Sequence, residues 1–326
     1  MQGTQNKQKG VALISVLLVV AILVAVTTRL LAGHSLVVNH HQFTFEHDQA
    51  LQYALGAESL ARQILYEDFI NSGKDRDHLG ETWARQSMPL QIDEVGFVEA
   101  RITDLNRCFN LNSLSAGSSK EVKTNMERLK LMLRYLQINE YLADRLKDWV
   151  DSDNKVTGFG AEETTYLNRM PGFHTPDMPI NHLSELFLLE DINAEDLRQL
   201  LPHVCLIPSQ ENKINLNTAN TFTLASLDNG IGLANAEVVV SSPREYQSVA
   251  EFIRTNVDFS AVAADLVVES VFFQLHVMAS VGDSSVTLLS TFRRDPADGK
   301  ITLLQRDFGR LFQSVISLAE ESEEAI

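Results

Sequence analysis

The sequence predicts an α+β fold in which one long N-terminal helix packs on a four-stranded antiparallel sheet, and a large all-α segment interrupts that sheet. Three observations predict it. The chain opens on an uncharged apolar run that continues without proline into a helical stripe. Period-2 alternation occurs near residue 100 and returns only after residue 270, and between the two the apolar residues recur at helical spacing.

The first element is the apolar run. Lys7 and Lys9 precede it, the sixteen residues of VALISVLLVVAILVAV carry no charge, and the run extends past Arg29 to Ala32. Val11 to Ala32 is about long enough to cross a bilayer as a helix, and Arg29 lies near one end, where its side chain can snorkel. With lysines before the span and the first acid only at Glu46, the positive-inside rule places the N-terminus in the cytoplasm and the body outside it. A cleaved secretory signal fits poorly, because the small residues Ala32 and Gly33 stand behind Arg29.

Residues 34–71 continue as a stalk helix. Phe43, Ala50, Ala54, Ala57, Ala61 and Ile64 form an apolar stripe, Gly73 ends the helix, and Gly56 inside the stripe is expected to mark a close backbone approach. The first strand follows, with Val98, Ala100 and Ile102 facing one way and Glu99, Arg101 and Thr103 the other. The remaining three strands form a meander: Phe273 to Val281, a Gly282-Asp283 turn, Ser284 to Phe292, and, after Asp298-Gly299, Ile301 to Gln305.

The segment from about 111 to 270 reads as helical. Leu129, Met132, Leu133 and Leu136 make one stripe and Leu142, Leu146, Trp149 and Val150 the next. Shorter helices are expected at 182–190 and at 193–201, with Asn193 as N-cap. From Ile214 the pattern is helix, glycine hairpin and helix, then a third helix near 247–255. Gly230-Ile231-Gly232 resembles a helix-hairpin-helix turn, but no basic residue stands between Asn215 and Ser242, so phosphate binding is not expected there.

Composition agrees with a folded body. Of 326 residues 44% are hydrophobic and 21% charged, and eight prolines with sixteen glycines exclude a linker-dominated chain. The excess of 43 acids over 27 Lys plus Arg gives a net charge of −16, which opposes nucleic acid as a partner and permits cations or basic proteins.

The acids concentrate in Lys147-Asp148-Trp149-Val150-Asp151-Ser152-Asp153 and the following loop to Glu162-Glu163. Asp148 and Asp151 sit at a helix C-terminus, where carboxylates oppose the helix dipole and repel each other. Asp151, Asp153, Glu162 and Glu163 add oxygens around the glycines of Gly158-Phe159-Gly160, the ligand type calcium takes. The same residues also suit a solvated acidic loop. Cys108 and Cys205 are the only cysteines. Paired, they would close a loop worth roughly 4–5 kcal/mol in the chain-entropy model; otherwise they are two separate thiols. No catalytic constellation stands out, and His40 and His47 on the stalk lack the spacing and carboxylate support of a metal pair.

Lys9-Gly10 followed by Val11-Ala12-Leu13-Ile14 resembles a type IV prepilin cleavage site. Further pieces occur in order: Asp104-Leu105-Asn106, Cys108-Phe109-Asn110-Leu111-Asn112, Asp148 to Asp153, Gly160-Ala161-Glu162-Glu163, Ser184-Glu185-Leu186, Leu201-Pro202-His203-Val204-Cys205 and Ile214-Asn215-Leu216-Asn217-Thr218-Ala219. Together they resemble the minor pseudopilin K family of the bacterial type II secretion system. Ser15 stands where pilin-like chains carry glutamate, and Glu163 where the family commonly has aspartate.

The resemblance implies a pilin-like fold with an inserted domain containing SAM-like or helix-hairpin-helix-like units. The division it suggests is a leader at 1–10, a transmembrane helix at 11–33, a stalk and first pilin part at 34–110, an insertion at 111–270 and a meander at 271–326. It implies cleavage by prepilin peptidase between Gly10 and Val11, N-methylation of Val11, and two calcium ions held among Asp148, Asp151, Asp153, Glu162 and Glu163. It also implies a non-enzymatic place at the tip of the pseudopilus with minor pseudopilins I and J. The wider partners would be other pseudopilins, the inner-membrane assembly platform and exported substrates. The expected location is the inner membrane, single-pass, with a periplasmic body. A minor pilin of a type IV pilus, or a membrane-anchored calcium-dependent binding module, are the alternatives.

Overall fold

The computed structural model describes residues 11–71, 76–85, 90–92, 94–115 and 118–309. The expected leader with Gly10, the stalk terminator Gly73 and the end of the meander segment beyond residue 309 lie outside the described residues.

Helix α1 (Val11–Asn71) is a single unbroken rod, about 90 Å long at 1.5 Å per residue. From Leu13 it is long and apolar enough to cross a membrane, and its most apolar window is fully exposed. The lower half behaves differently: Ala50, Ala54, Ala61, Leu65 and Phe69 are buried, facing the sheet strands described next. Small residues at helical spacing let the rod lie close on a twisted sheet. Two stalk expectations fail. Phe43 is 54% exposed because it lies above the body. Gly56 is exposed, and a Cβ there would meet nothing within 4 Å, so it marks no backbone approach.

Along the chain follow β1 (Leu90–Gln91) and β2 (Gly96–Asp104), then β3 (Phe109–Asn110), α2 (Ser119–Tyr135), α3 (Tyr141–Val150) and α4 (Glu163–Leu167). Next come α5 (Ala194–Leu200), β4 (Val204–Cys205), β5 (Ile214–Asn215), α6 (Thr221–Ala225), α7 (Gly232–Val240), α8 (Val249–Thr255) and β6 (Leu266–Val267). The chain returns to the main sheet with β7 (Phe272–Val281), β8 (Ser284–Arg294) and β9 (Ile301–Asp307).

The main sheet has the order β1-β2-β7-β8-β9 and is antiparallel throughout. The register Gly96↔Val281 to Asp104↔Phe273 pairs the strand before the helical segment with the strand after it. Alternate residues Phe273, Leu275, Val277, Ala279 and Val281 of β7 are buried and form one core with the stalk. The sheet thus has five strands where four were expected: the two exposed residues of β1 are too few to show alternation.

The intervening segment has two cores of its own. One gathers α2, α3 and α5 around Trp149 and Tyr166; the other gathers α6–α8 around Phe252 and Phe259. It is not all-α. β3 pairs with β4 and β5 with β6, both parallel. Ile214-Asn215 is therefore a strand, and the helix expected from Ile214 begins at Thr221. The helix expected over 182–190 is a 3-10 helix, Leu183–Leu188, fixed by reciprocal capping between His182 and Glu185. Gly232, the first residue of α7, takes the left-handed conformation at φ 71° that ends the preceding turn.

The segment is joined to the sheet by polar bonds. The Asp104 carboxylate accepts from Ser270, Thr218 and Asn215 side chains. Asn106 Oδ1 accepts from the Val271 and Phe272 amides. The Cys108–Cys205 disulfide lies where β3 meets β4 and resolves the open question of the thiols.

Candidate metal centre

Helix α3 places Asp144, Asp148 and Asp151 along its last two turns. Its end cannot simply fray, because the loop 155–160 is tied back to it. Both Asp148 oxygens accept the Thr157 amide, and Asp144 Oδ2 accepts the Phe159 amide at 3.1 Å. This is why glycine stands at 158 and 160. Gly158 takes φ 53°, and a Cβ at Gly160 would come within 2.0 Å of Asp148 Oδ2. Asp148 is thus a buried anchor of the loop.

The turn brings Glu162 back over the end of α3. Asp151, Asp153 and Glu162 each offer a ligand atom, all within 4.8 Å of one another. Ions with Ca–O distances of about 2.3–2.6 Å need opposed oxygens at about that separation. Glu162 is buried, and among the described residues neither of its carboxylate oxygens has a hydrogen-bond partner; Asp151 Oδ1 and Asp177 Oδ1 are likewise unsatisfied. Asp151 Oδ2 is held by Lys147 Nζ at 2.5 Å, and Asp153 Oδ1 caps its own loop through the Lys155 amide at 2.9 Å.

The electrostatics follow from this crowding. Burial pushes the Glu162 carboxyl up to about 7, with Asp148, Asp151, Asp177 and Asp153 adding their negative charge. Burial likewise pushes Asp148 up to about 6 against the bonds from Thr157, with Asp151 and Asp144 adding to the push. Two buried carboxylates, Asp151 and Glu162, with the exposed Asp153 beside them and unpaired lone pairs at the first two, fit a hard divalent cation: every donor is oxygen, and the ion would satisfy groups that are otherwise costly to bury.

Of the five residues expected here, Asp151, Asp153 and Glu162 converge. Asp148 anchors the loop beside them. Glu163 does not join the group: its side chain pairs with His174 on the outer face. Asp177 was not expected. It lies in a Pro-flanked loop at φ 47°, and its only signal in the sequence is the acid between Pro176 and Pro179. Ser15 sits on the exposed apolar stretch of α1, and Val11 begins that helix.

Comparison with known proteins bears on the whole chain. A family model described as Type II secretion system (T2SS), protein K matches residues 107–209. Type II secretion system protein K of Pseudomonas aeruginosa is 35% identical over 316 residues, covering 93% of each chain. Its counterpart from Aeromonas hydrophila is 29% identical over 324 residues, covering 92% of this chain and 97% of its own. Among solved structures, a chain in the GspK-GspI-GspJ complex from the enterotoxigenic Escherichia coli type 2 secretion system has a TM-score of 0.73 at 24% identity. It covers 83% of this chain and 99% of its own length.

Proposed function

The chain belongs to the type II secretion system protein K family, and from that premise we propose that it is the tip subunit of the pseudopilus, a non-enzymatic initiator and cap of its assembly. The observation that carries the reading is the unbroken α1, exposed and apolar above and packed on the sheet below, with a large second body inserted between β2 and β7. In a stack of pilin-like subunits, a glutamate in the membrane neutralises the terminal amine of a neighbour. Ser15 offers no such carboxylate, which suits the topmost place, and the inserted body would obstruct a further subunit above.

On this reading the leader 1–10 is removed after Gly10 and Val11 is methylated by prepilin peptidase. Residues 11–33 span the inner membrane, 34–110 and 271–326 form the pilin-like part in the periplasm, and 111–270 form the insertion with α6–α8 as its SAM-like unit. Loss of Lys7 and Lys9 shifts the net charge from −16 to −18, leaving an uncharged anchor and a more acidic body. Asp151, Asp153 and Glu162, with Asp177 beside them, would hold calcium, which would supply the positive charge that fixes the loop against α3. The partners are minor pseudopilins I and J, in keeping with the complex in which the structural relative was solved.

Co-purification tests the reading. Tagged full-length chain extracted from membranes in mild detergent should retain two smaller pilin-like subunits. Recovery without any pilin-like partner would remove the tip assignment, and a mature mass that is not a methylated chain starting at Val11 would remove the processing assignment.

A further inference from the structure

A second acidic cluster, sharing no residue with the loop, lies where the end of α1, the segment 76–85 and the end of β8 meet. Asp68, Asp77 and Glu81 each bring one carboxylate oxygen within 4.8 Å of the other two. Asp77 and Glu81 are buried, and Asp77 Oδ1 and Glu81 Oε1 have no hydrogen-bond partner among the described residues.

A guanidinium already serves the cluster. Arg294 pairs with Asp77 and lies 3.6 Å from Asp68, and its guanidinium is fixed between the Phe69 and Phe273 rings, at 5.6 and 4.8 Å from their centroids. The buried Asp104 adds negative charge near Asp77. His78 Nε2 stands 3.6 Å from Glu81 Oε1. The other oxygens are spoken for: Asp77 Oδ2 accepts the Ser270 amide, and Glu81 Oε2 accepts the His78 amide and the Trp83 indole N–H. Those bonds orient the Asp77 and Glu81 carboxylates and leave one buried oxygen of each without a hydrogen bond among the described residues.

We propose that Asp68, Asp77 and Glu81 form a site for a hard divalent cation of the calcium class, locking the lower end of the stalk helix to the sheet. An ion there would satisfy the orphaned buried oxygens of Asp77 and Glu81, and the all-oxygen donor set excludes soft metals as the preferred occupant. The site is independent of the acidic loop and of the assembly reading.

The chain has two tryptophans, and they separate the two sites. The Trp83 indole is 2.7 Å from Glu81 Oε2, whereas Trp149 stands two residues before Asp151. The test uses full chain in detergent carrying Asp151→Asn, Asp153→Asn and Glu162→Gln, titrated with terbium(III) and excited through tryptophan. We expect sensitised emission saturating at one ion per chain and displaced by calcium. Trp149→Phe should leave the signal in place, and Glu81→Gln should weaken terbium affinity at least tenfold with an unchanged circular dichroism spectrum. No terbium bound to the loop-disabled chain overturns the proposal without recourse to Glu81→Gln, and so does binding that Glu81→Gln leaves unaltered.

Discussion

The Thr218 hydroxyl donates to Asp104 Oδ2 at 2.6 Å across 114 residues of sequence, joining the end of β2 to the inserted body. The same oxygen accepts from Ser270, and Oδ1 accepts the Asn106 amide. We expect Thr218→Val to destabilise the chain by about 1–2 kcal/mol and Asp104→Ala by about 3 kcal/mol, since the latter strands several buried donors. Burial, opposed by these bonds, still holds the Asp104 carboxyl up at about 6. The folded state therefore binds this proton more tightly than the unfolded chain, and the contribution of Asp104 falls as pH rises from about 4 to 6, by roughly 2–3 kcal/mol in all. Urea unfolding from pH 4 to 7 should show that slope, and Asp104→Asn should remove it.

Asp104 also shows what the sequence could and could not reveal. The strand it ends was legible because Val98, Ala100 and Ile102 alternate with polar residues over a long strand, and β7 and β8 were legible for the same reason. The two-residue strands β1 and β3–β6 had no period to display; β5 exists because Leu266-Val267 returns beside Ile214-Asn215 through tertiary packing. The acidic loop was legible as composition, yet the fates of Glu162 and Glu163 were not. Neighbours at a helix start point about 100° apart, so one carboxylate turns inward to Asp151 and the next outward to His174. Asp177 belongs to a non-periodic turn, and only folding brings it near.

The disulfide closes a loop of sequence separation 97 beside the parallel pair β3–β4. Cys108→Ala with Cys205→Ala should cost about 2–5 kcal/mol in chemical denaturation, and wild type in strong reductant should approach the double variant. An unchanged denaturation midpoint on reduction would contradict a structural role for the bond.

His203 gives an acid-labile point of the opposite kind. Burial, against the influence of the Asn220 side chain, lowers its imidazole to about 4, and Phe222 packs on the ring. A base depressed from about 6.5 contributes fully above that pH and loses the contribution as pH falls from 6.5 toward 4, by about 1–3 kcal/mol. His203→Gln should flatten the melting temperature over pH 4–6.5 relative to wild type; a parallel decline in both would contradict this.

Calcium at the acidic loop has its own signature. A ligand that binds only the folded state adds about 2.7 kcal/mol when present at a hundred times its dissociation constant. Wild type should therefore melt higher in calcium than in chelator. Asp151→Ala with Asp153→Ala should shrink that increment while leaving the chelated protein no less stable, because the variant also relieves repulsion around Glu162. Equal melting of wild type with and without chelator would reject the loop as a calcium site.

Glu58 and Arg306 couple the stalk to the last strand. The guanidinium reaches both Glu58 oxygens at 2.6 and 2.7 Å, and Ser290 donates to one of them at 2.7 Å. Burial alone would raise the Glu58 carboxyl; the Arg306 and Ser290 bonds outweigh it and hold the group below its ordinary value. The pair's stabilisation is present above the unfolded carboxylate range and is lost as pH falls through the lowered folded value. Arg306→Ala leaves the buried Glu58 carboxylate with the Ser290 hydroxyl donor and should cost about 1–3 kcal/mol, moderated because Arg306 itself is exposed, whereas removing both charges with Glu58→Leu and Arg306→Leu should recover part of that loss. Unfolding midpoints of Glu58→Leu, Arg306→Leu and the double variant measure the coupling directly, and additive losses would show that the stalk does not depend on this bridge.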